Sequence, residues 1–150
     1  MSYTKAGALS KYSQVAVQAD ATYASPHRLI QMLLEGALEK IAIARGHLER
    51  GNTPSKGQHI GWAISIISGL RASLDMNAGG EIAQNLNDLY DYMGRRLLHA
   101  NLKNDSAALD EVSSLLREVK NAWEAIPESV QRAHAQAKGA AVSAPVAAGR

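Results

Sequence analysis

The chain has no cysteine and no phenylalanine. The first absence excludes disulfide scaffolds, thiolate metal sites and cysteine nucleophiles. The second, with aromatics at only 5%, leaves Leu, Ile and Ala to build the core, and these favour helix over strand. No apolar run approaches the length needed to span a bilayer. The N-terminal MSYTKAGALSKYSQ lacks the continuous apolar stretch of a signal peptide. Membrane insertion is therefore not expected, and the expected location is cytoplasmic. A surplus of one charge is also missing: the net charge is +2 and the charges are well mixed. A nucleic-acid binder concentrates Lys and Arg on one face, whereas the only tight basic cluster here is Arg95–Arg96, so nucleic acid is not an expected partner.

What is present is ordinary for a globular chain: 150 residues, 46% apolar and 20% charged. That is enough for one domain with one core. Residues 1–24 carry scattered small and polar residues, Tyr3, Tyr12, Tyr23 and a short apolar alternation at Val15 and Val17, and are expected to form a mobile arm. Ser25–Pro26 is an N-cap followed by a proline at the first helical position. It opens a helix whose stripe is Ile30, Leu33, Leu34, Ala37, Ile41, Ala44 and Leu48, ended by Gly51. Thr53–Pro54 repeats the signal and opens a second helix with Ile60, Ala63, Ile64, Ile67, Leu70 and Leu74. The segment Met76-Asn77-Ala78-Gly79-Gly80 is a loop by its composition. A third helix carries Ile82, Leu86, Leu89, Tyr90, Met93 and Leu97 on one side. Lys103-Asn104-Asp105 breaks the pattern, with Asp105 as N-cap of a fourth helix bearing Leu109, Val112, Leu116, Val119, Trp123 and Ile126. Pro127 closes or kinks that helix. Helical propensity persists briefly at Val130 and Ala133, and residues 128–150 are expected to be largely disordered. Short connections between four helices predict an all-α, antiparallel up-down four-helix bundle over residues 25–127.

Searches for chemistry return nothing. A di-metal carboxylate bundle needs Glu-x-x-His pairs, and the residues three before His47, His59, His99 and His134 are Ala44, Lys56, Arg96 and Gln131. His27 sits at a helix start. HExxH is missing too, so no metal or cofactor is expected. GNTPSKG lacks the second glycine before its lysine, has no Ser or Thr after it and follows no strand, so it is a turn and not a phosphate loop. Gly79–Gly80 before a helix could hold an anion on free amides, but a pair of glycines is more often a tight turn. Glu35, Glu39, Glu81, Asp88 and Asp91 fall on polar faces, with no matched acid–base pair. Neither catalysis nor a small-molecule substrate is expected.

Two helices carry more apolar residues than one stripe needs. Leu29, Met32, Gly36 and Ile43 lie well round the first helix from its core stripe, as do Trp62, Ile66 and Gly69 on the second. A surface helix normally has a polar back. Either these helices are the most enclosed ones, or their second stripes form a groove for a partner's amphipathic helix. Small residues at Gly36, Gly61 and Gly69 suit close approach, and Met32 adapts to imperfect shapes. Both readings hold if the arm covers the groove until a partner displaces it.

Several motifs in order carry a resemblance. They are Tyr12-x-x-Val15 in the arm; ASPHRLIQMLLEGAL from Ala24; the GNTPSKG turn and AISIISGLRASLD ending at Asp75; GGEIAQNL from Gly79; LYDYMGRRLL from Leu89; and ANLKND from Ala100 leading to Trp123. Across Tyr12 to Pro127 the chain resembles the FliS family, the cytoplasmic export chaperones of bacterial flagellin. The resemblance implies a helical bundle that binds the disordered C-terminal segment of flagellin. It also implies that the chaperone keeps flagellin from polymerising early and delivers it to the flagellar export gate. The arm with Tyr12 and Val15 is implied to cover part of the ligand site. The expected contacts are then Tyr12 and Val15 from the arm motif, Leu29, Met32, Gly36, Ile43, Trp62 and Ile66 from the second stripes, and Tyr90, Tyr92 and Met93 from the family motif. For Tyr90, core packing stands as an equal alternative. Gly94 stands where the family motif usually has a large aliphatic, and Leu34 where an aromatic is common. The competing class is a helical adaptor or self-associating bundle that buries Trp62 and Ile66 against its own copy.

Overall fold

The computed structural model describes residues 25–133 and 136. Tyr12, Val15 and the rest of the expected arm lie outside the described residues, as does most of the C-terminal extension. The described chain is all-α, built on four long helices: α1 (Pro26–Arg50), α2 (Thr53–Ala72), α3 (Gly80–Lys103) and α4 (Ser106–Glu124). Contacts run α1–α2, α2–α3, α3–α4 and α4–α1, with no diagonal pairing among the described residues. The helices therefore form a four-cornered bundle in which each has two neighbours.

Local chemistry sets the boundaries. Ser25 is extended, and its hydroxyl accepts from the Arg28 amide at 3.1 Å. Gly51 ends α1 in the left-handed region, φ 74°, with the Asn52 amide reaching back to the His47 carbonyl at 2.9 Å. Asp105 caps α4 by accepting from the Ala108 amide at 3.2 Å. The second cap differs by one residue from the expectation. Asn52, not Thr53, is the N-cap of α2, and its side chain makes no cap bond. Pro54 in the first turn costs no hydrogen bond. The helix also stops at Ala72, so Leu74 packs from the connection. There the Asp75 carboxylate accepts from the amides of Asn77 (3.1 Å) and Ala78 (2.9 Å), and the Gly79 amide donates to the Asp75 carbonyl at 2.8 Å. A Cβ at Gly79 would stand 2.6 Å from the Ala83 methyl and 2.8 Å from that carbonyl, so this turn requires glycine.

All four helices supply the core: Leu34 and Ile41; Ile60, Ile66, Ile67 and Leu70; Met93 and Leu97; Leu109, Val112 and Leu116. Fully enclosed alanines at 37, 44, 63, 100 and 108 bring the helix axes close. Burying each large aliphatic side chain contributes about 1.5–3 kcal/mol. Ile82 corrects the expectation for α3. It is 73% exposed, and Ala83 is buried in its place, because the first turn of α3 sits beside the loop where the neighbouring helix has ended. Beyond α4 the helix breaks at 125–127 and resumes at 128–133. The Pro127 carbonyl accepts there from the amides of Val130 and Gln131, both at 3.0 Å. That part of the extension is helical and mostly exposed, contrary to the expected loss of order from residue 128.

Candidate functional site

The second stripes of α1 and α2 meet. These two helices share the most extensive interface in the bundle, and its outer edge is a seam. Leu29, Met32 and Ile43 of α1 are half-buried, as is Trp62 of α2; Gly36, Ile66 and Gly69 are buried. The antiparallel register is fixed by two side-chain pairs. His47 and His59 have ring centroids 5.3 Å apart, and the Lys40 ammonium lies 3.9 Å from the centroid of the Trp62 ring. This register puts Gly36 level with residues 66–69, where small side chains let the helices close on each other. The seam is apolar from Leu29 to Ile66 and turns polar towards the α1–α2 connection.

The polar end is a column. The rings of His59 and Trp62 are 6.4 Å apart and inclined by 29°. His59 Nδ1 lies 2.8 Å from the Ser55 carbonyl, so it carries the proton and donates. His47 Nδ1 faces the Arg50 guanidinium at 3.5 Å and the Asn52 amide nitrogen at 3.3 Å, both donors, so it accepts. None of Lys40, His47 and His59 was among the expected contacts. The signal was present in their spacing: Gly36, Lys40, Ile43 and His47 step by four, three and four, and His59, Trp62, Ile66 and Gly69 by three, four and three.

The remaining expected residues are elsewhere. Tyr90 and Met93 of α3 are core residues, 4% and 0% exposed, and burial pushes the Tyr90 phenol up to about 12. Ile66 and Gly36 are likewise enclosed, so a partner reaches these four only if the packing around them opens. Tyr92 sits on the α3–α4 edge, where its hydroxyl donates to Glu111 at 2.6 Å. Arg96 donates to the other carboxylate oxygen at 2.8 Å. These two bonds, Tyr92 first, hold the Glu111 carboxyl below its usual range, and the same bond raises the Tyr92 phenol. α3 has no contact with α1 among the described residues. The structure thus unites the two second stripes and leaves the tyrosine motif apart from them. Sequence reasoning also missed Leu98 and Leu102 on α3, which are 53% and 79% exposed.

Charged groups in the bundle are mostly paired. Arg45 bridges Asp110 and Glu49, and its bond lowers the Asp110 carboxyl. Arg71 and Arg95 share Asp91 at 3.2 and 3.1 Å. Among the described residues no three His, Cys, Asp or Glu side chains converge to hold a metal, and no helix is long and apolar enough to cross a membrane.

Comparison with known proteins agrees with this architecture. A family model described as flagellar protein FliS matches residues 8–130. The chain is 54% identical over 119 residues to the flagellar secretion chaperone FliSB of Pseudomonas aeruginosa, covering 79% of this chain and 94% of that protein. It is 50% identical over 125 residues to the flagellar secretion chaperone FliS of Salmonella typhimurium, covering 83% and 92%. Identity to the flagellar secretion chaperone FliS of Bacillus subtilis is 33% over 109 residues, covering 73% and 80%.

Proposed function

The chain belongs to the FliS family of flagellar secretion chaperones, and on that premise we propose that it binds the disordered C-terminal segment of flagellin, keeps it from polymerising early in the cytoplasm and delivers it to the flagellar export gate. The observation that carries the binding part is the α1–α2 seam, where Leu29, Met32, Ile43 and Trp62 line the edge of the bundle's largest helix interface. An amphipathic helix lays its apolar face on such a surface. The work requires no catalytic group. Binding lowers the free concentration of an aggregation-prone segment, and release follows when a site at the export machinery competes for it.

Calorimetry with a flagellin C-terminal peptide tests this reading. It predicts a 1:1 complex at micromolar concentration with a negative heat-capacity change from apolar burial. Absence of heat and of a retained complex overturns it. Exposed Leu98 and Leu102 favour one second reading, self-association through α3. Sedimentation of the isolated protein separates the two, since a stable symmetric oligomer that loses its contact in Leu98→Glu supports the second.

A further inference from the structure

The seam holds a cation in an unusual setting. Lys40 lies on the second stripe of α1, with its side chain only 13% exposed and its ammonium over the Trp62 ring. The ring face attracts a cation without neutralising it. Among the described residues the one carboxylate within ion-pair range is that of Glu39, at 3.7 Å, which is too long for a hydrogen bond. Glu39 is 66% exposed and shared with water. The other nearby carboxylate, Glu49, is already held by Arg45. An ammonium has three donors, and one largely removed from water strongly favours an anionic acceptor. The rest of this end adds no anion: His47, His59 and the Arg50 guanidinium stand beyond Lys40 towards the α1–α2 connection.

We propose that Lys40, held on Trp62 at the polar end of the seam, receives a carboxylate from the docked flagellin helix and thereby fixes which way round that helix lies. This rests on the flagellin-binding reading above. An apolar seam accepts an amphipathic helix in either direction, because apolar contact carries little directional information. One carboxylate–ammonium pair at one end removes the degeneracy: the reversed helix would leave Lys40 buried without its acceptor and place the carboxylate against Leu29 and Met32. The negative end of a helix dipole is its C-terminus. The favoured orientation therefore points the C-terminal end of the bound helix at Lys40, with the carboxylate supplied by an Asp or Glu side chain of its last turn or by the chain terminus itself.

The test is a double-mutant cycle in calorimetry on the full chain. Wild type and Lys40→Met meet three flagellin C-terminal peptides: the native free acid, its C-terminal amide, and a form with Asp and Glu replaced by Asn and Gln. Methionine keeps the stem packed on Trp62 and removes only the charge. Lys40→Met should weaken the native peptide about tenfold. One modified peptide should weaken binding to wild type by a similar factor yet bind Lys40→Met no worse than the native peptide does; which one identifies a terminal or a side-chain carboxylate. The wild-type affinity should also fall more steeply with salt than that of Lys40→Met. Equal affinity of Lys40→Met and wild type, or losses that multiply for every peptide, overturns the proposal while leaving flagellin binding intact. Failure of wild type to bind the native peptide overturns flagellin binding first.

Discussion

The indole of Trp123 donates to the carbonyl oxygen of His27 at 2.8 Å and lies flat against the His27 imidazole, ring centroids 4.8 Å apart and planes within 9°. The two residues belong to the last turn of α4 and the first turn of α1. Their contact closes the four-cornered bundle at the end where the chain enters it. Trp123→Phe keeps a stacking ring and loses the donor. Chemical denaturation should show a loss of about 1 kcal/mol, the net worth of one neutral hydrogen bond. An unchanged midpoint would mean that the stack alone holds this corner.

A second closure uses a buried charge. Lys56, on α2, is 3% exposed, and its ammonium donates to the Asn101 carbonyl at 2.9 Å and to the Asn104 side-chain oxygen. Asn101 lies in the last turn of α3, whose carbonyls have no helical partner. Asn104 itself is left-handed, φ 50°. A cation here complements the negative end of the helix dipole. Lys56→Met fills similar space and leaves both oxygens without this donor. The expected cost is about 1–3 kcal/mol, measured as a shift in urea midpoint, and Lys56→Arg should recover part of it if charge and donors are what matter.

Burial of Lys56 marks where sequence reasoning stopped. Helix number, order and most boundaries were legible, since caps at Ser25 and Asp105 and the three–four spacing of Leu109, Val112 and Leu116 are local signals. Composition assigns a lysine to solvent, and only the meeting of α2's first turn with α3's last shows why this one is inside. The same limit applies to Ile66, which periodicity assigns to a second face and the bundle encloses completely. At the seam, the apolar members were legible because hydrophobicity was the search criterion. Lys40, His47 and His59 occupy the same register and were passed over because they are polar.

Glu111 makes the α3–α4 edge sensitive to acid. Its pKa is lowered in the folded state by the Tyr92 hydroxyl and then by Arg96. A depressed carboxyl contributes stability that is complete above its unfolded value, ordinarily 4.5, and is lost as pH falls through the lower folded value. Urea midpoints measured from pH 7 down to 3 should therefore fall less steeply for Glu111→Gln than for wild type, with the two curves converging at the acid end. Parallel curves would show that the pair is solvent-screened and contributes nothing.

Gly94 stands inside α3 with ordinary helical backbone, and a Cβ there meets nothing within 4 Å. Glycine in a helix interior costs about 0.5–1 kcal/mol relative to alanine. Gly94→Ala should stabilise the protein by about that amount in urea denaturation, with no penalty from packing. Gly79→Ala is the contrasting control, destabilising because its Cβ would collide with Ala83 and the Asp75 carbonyl.

Burial decides which substitutions can test the seam. Ile66 is fully enclosed, so Ile66→Ala would cost about 2–5 kcal/mol of folding stability and report on the core. Trp62→Asp would set a carboxylate beside Lys40 and confound lost apolar contact with a new ion pair. Met32 is half-buried on the outer side of α1, away from the charged column. Met32→Asp removes the burial of one apolar side chain from a docked helix, worth about 1.5–3 kcal/mol. Flagellin-peptide affinity should thus fall by about 10- to 100-fold, while far-ultraviolet circular dichroism shows helix content unchanged. Wild-type affinity in a folded Met32→Asp variant would place the flagellin helix somewhere other than the α1–α2 seam, with the exposed Leu98 and Leu102 of α3 the next surface to substitute. It would not disturb the family assignment, which rests on the match across residues 8–130.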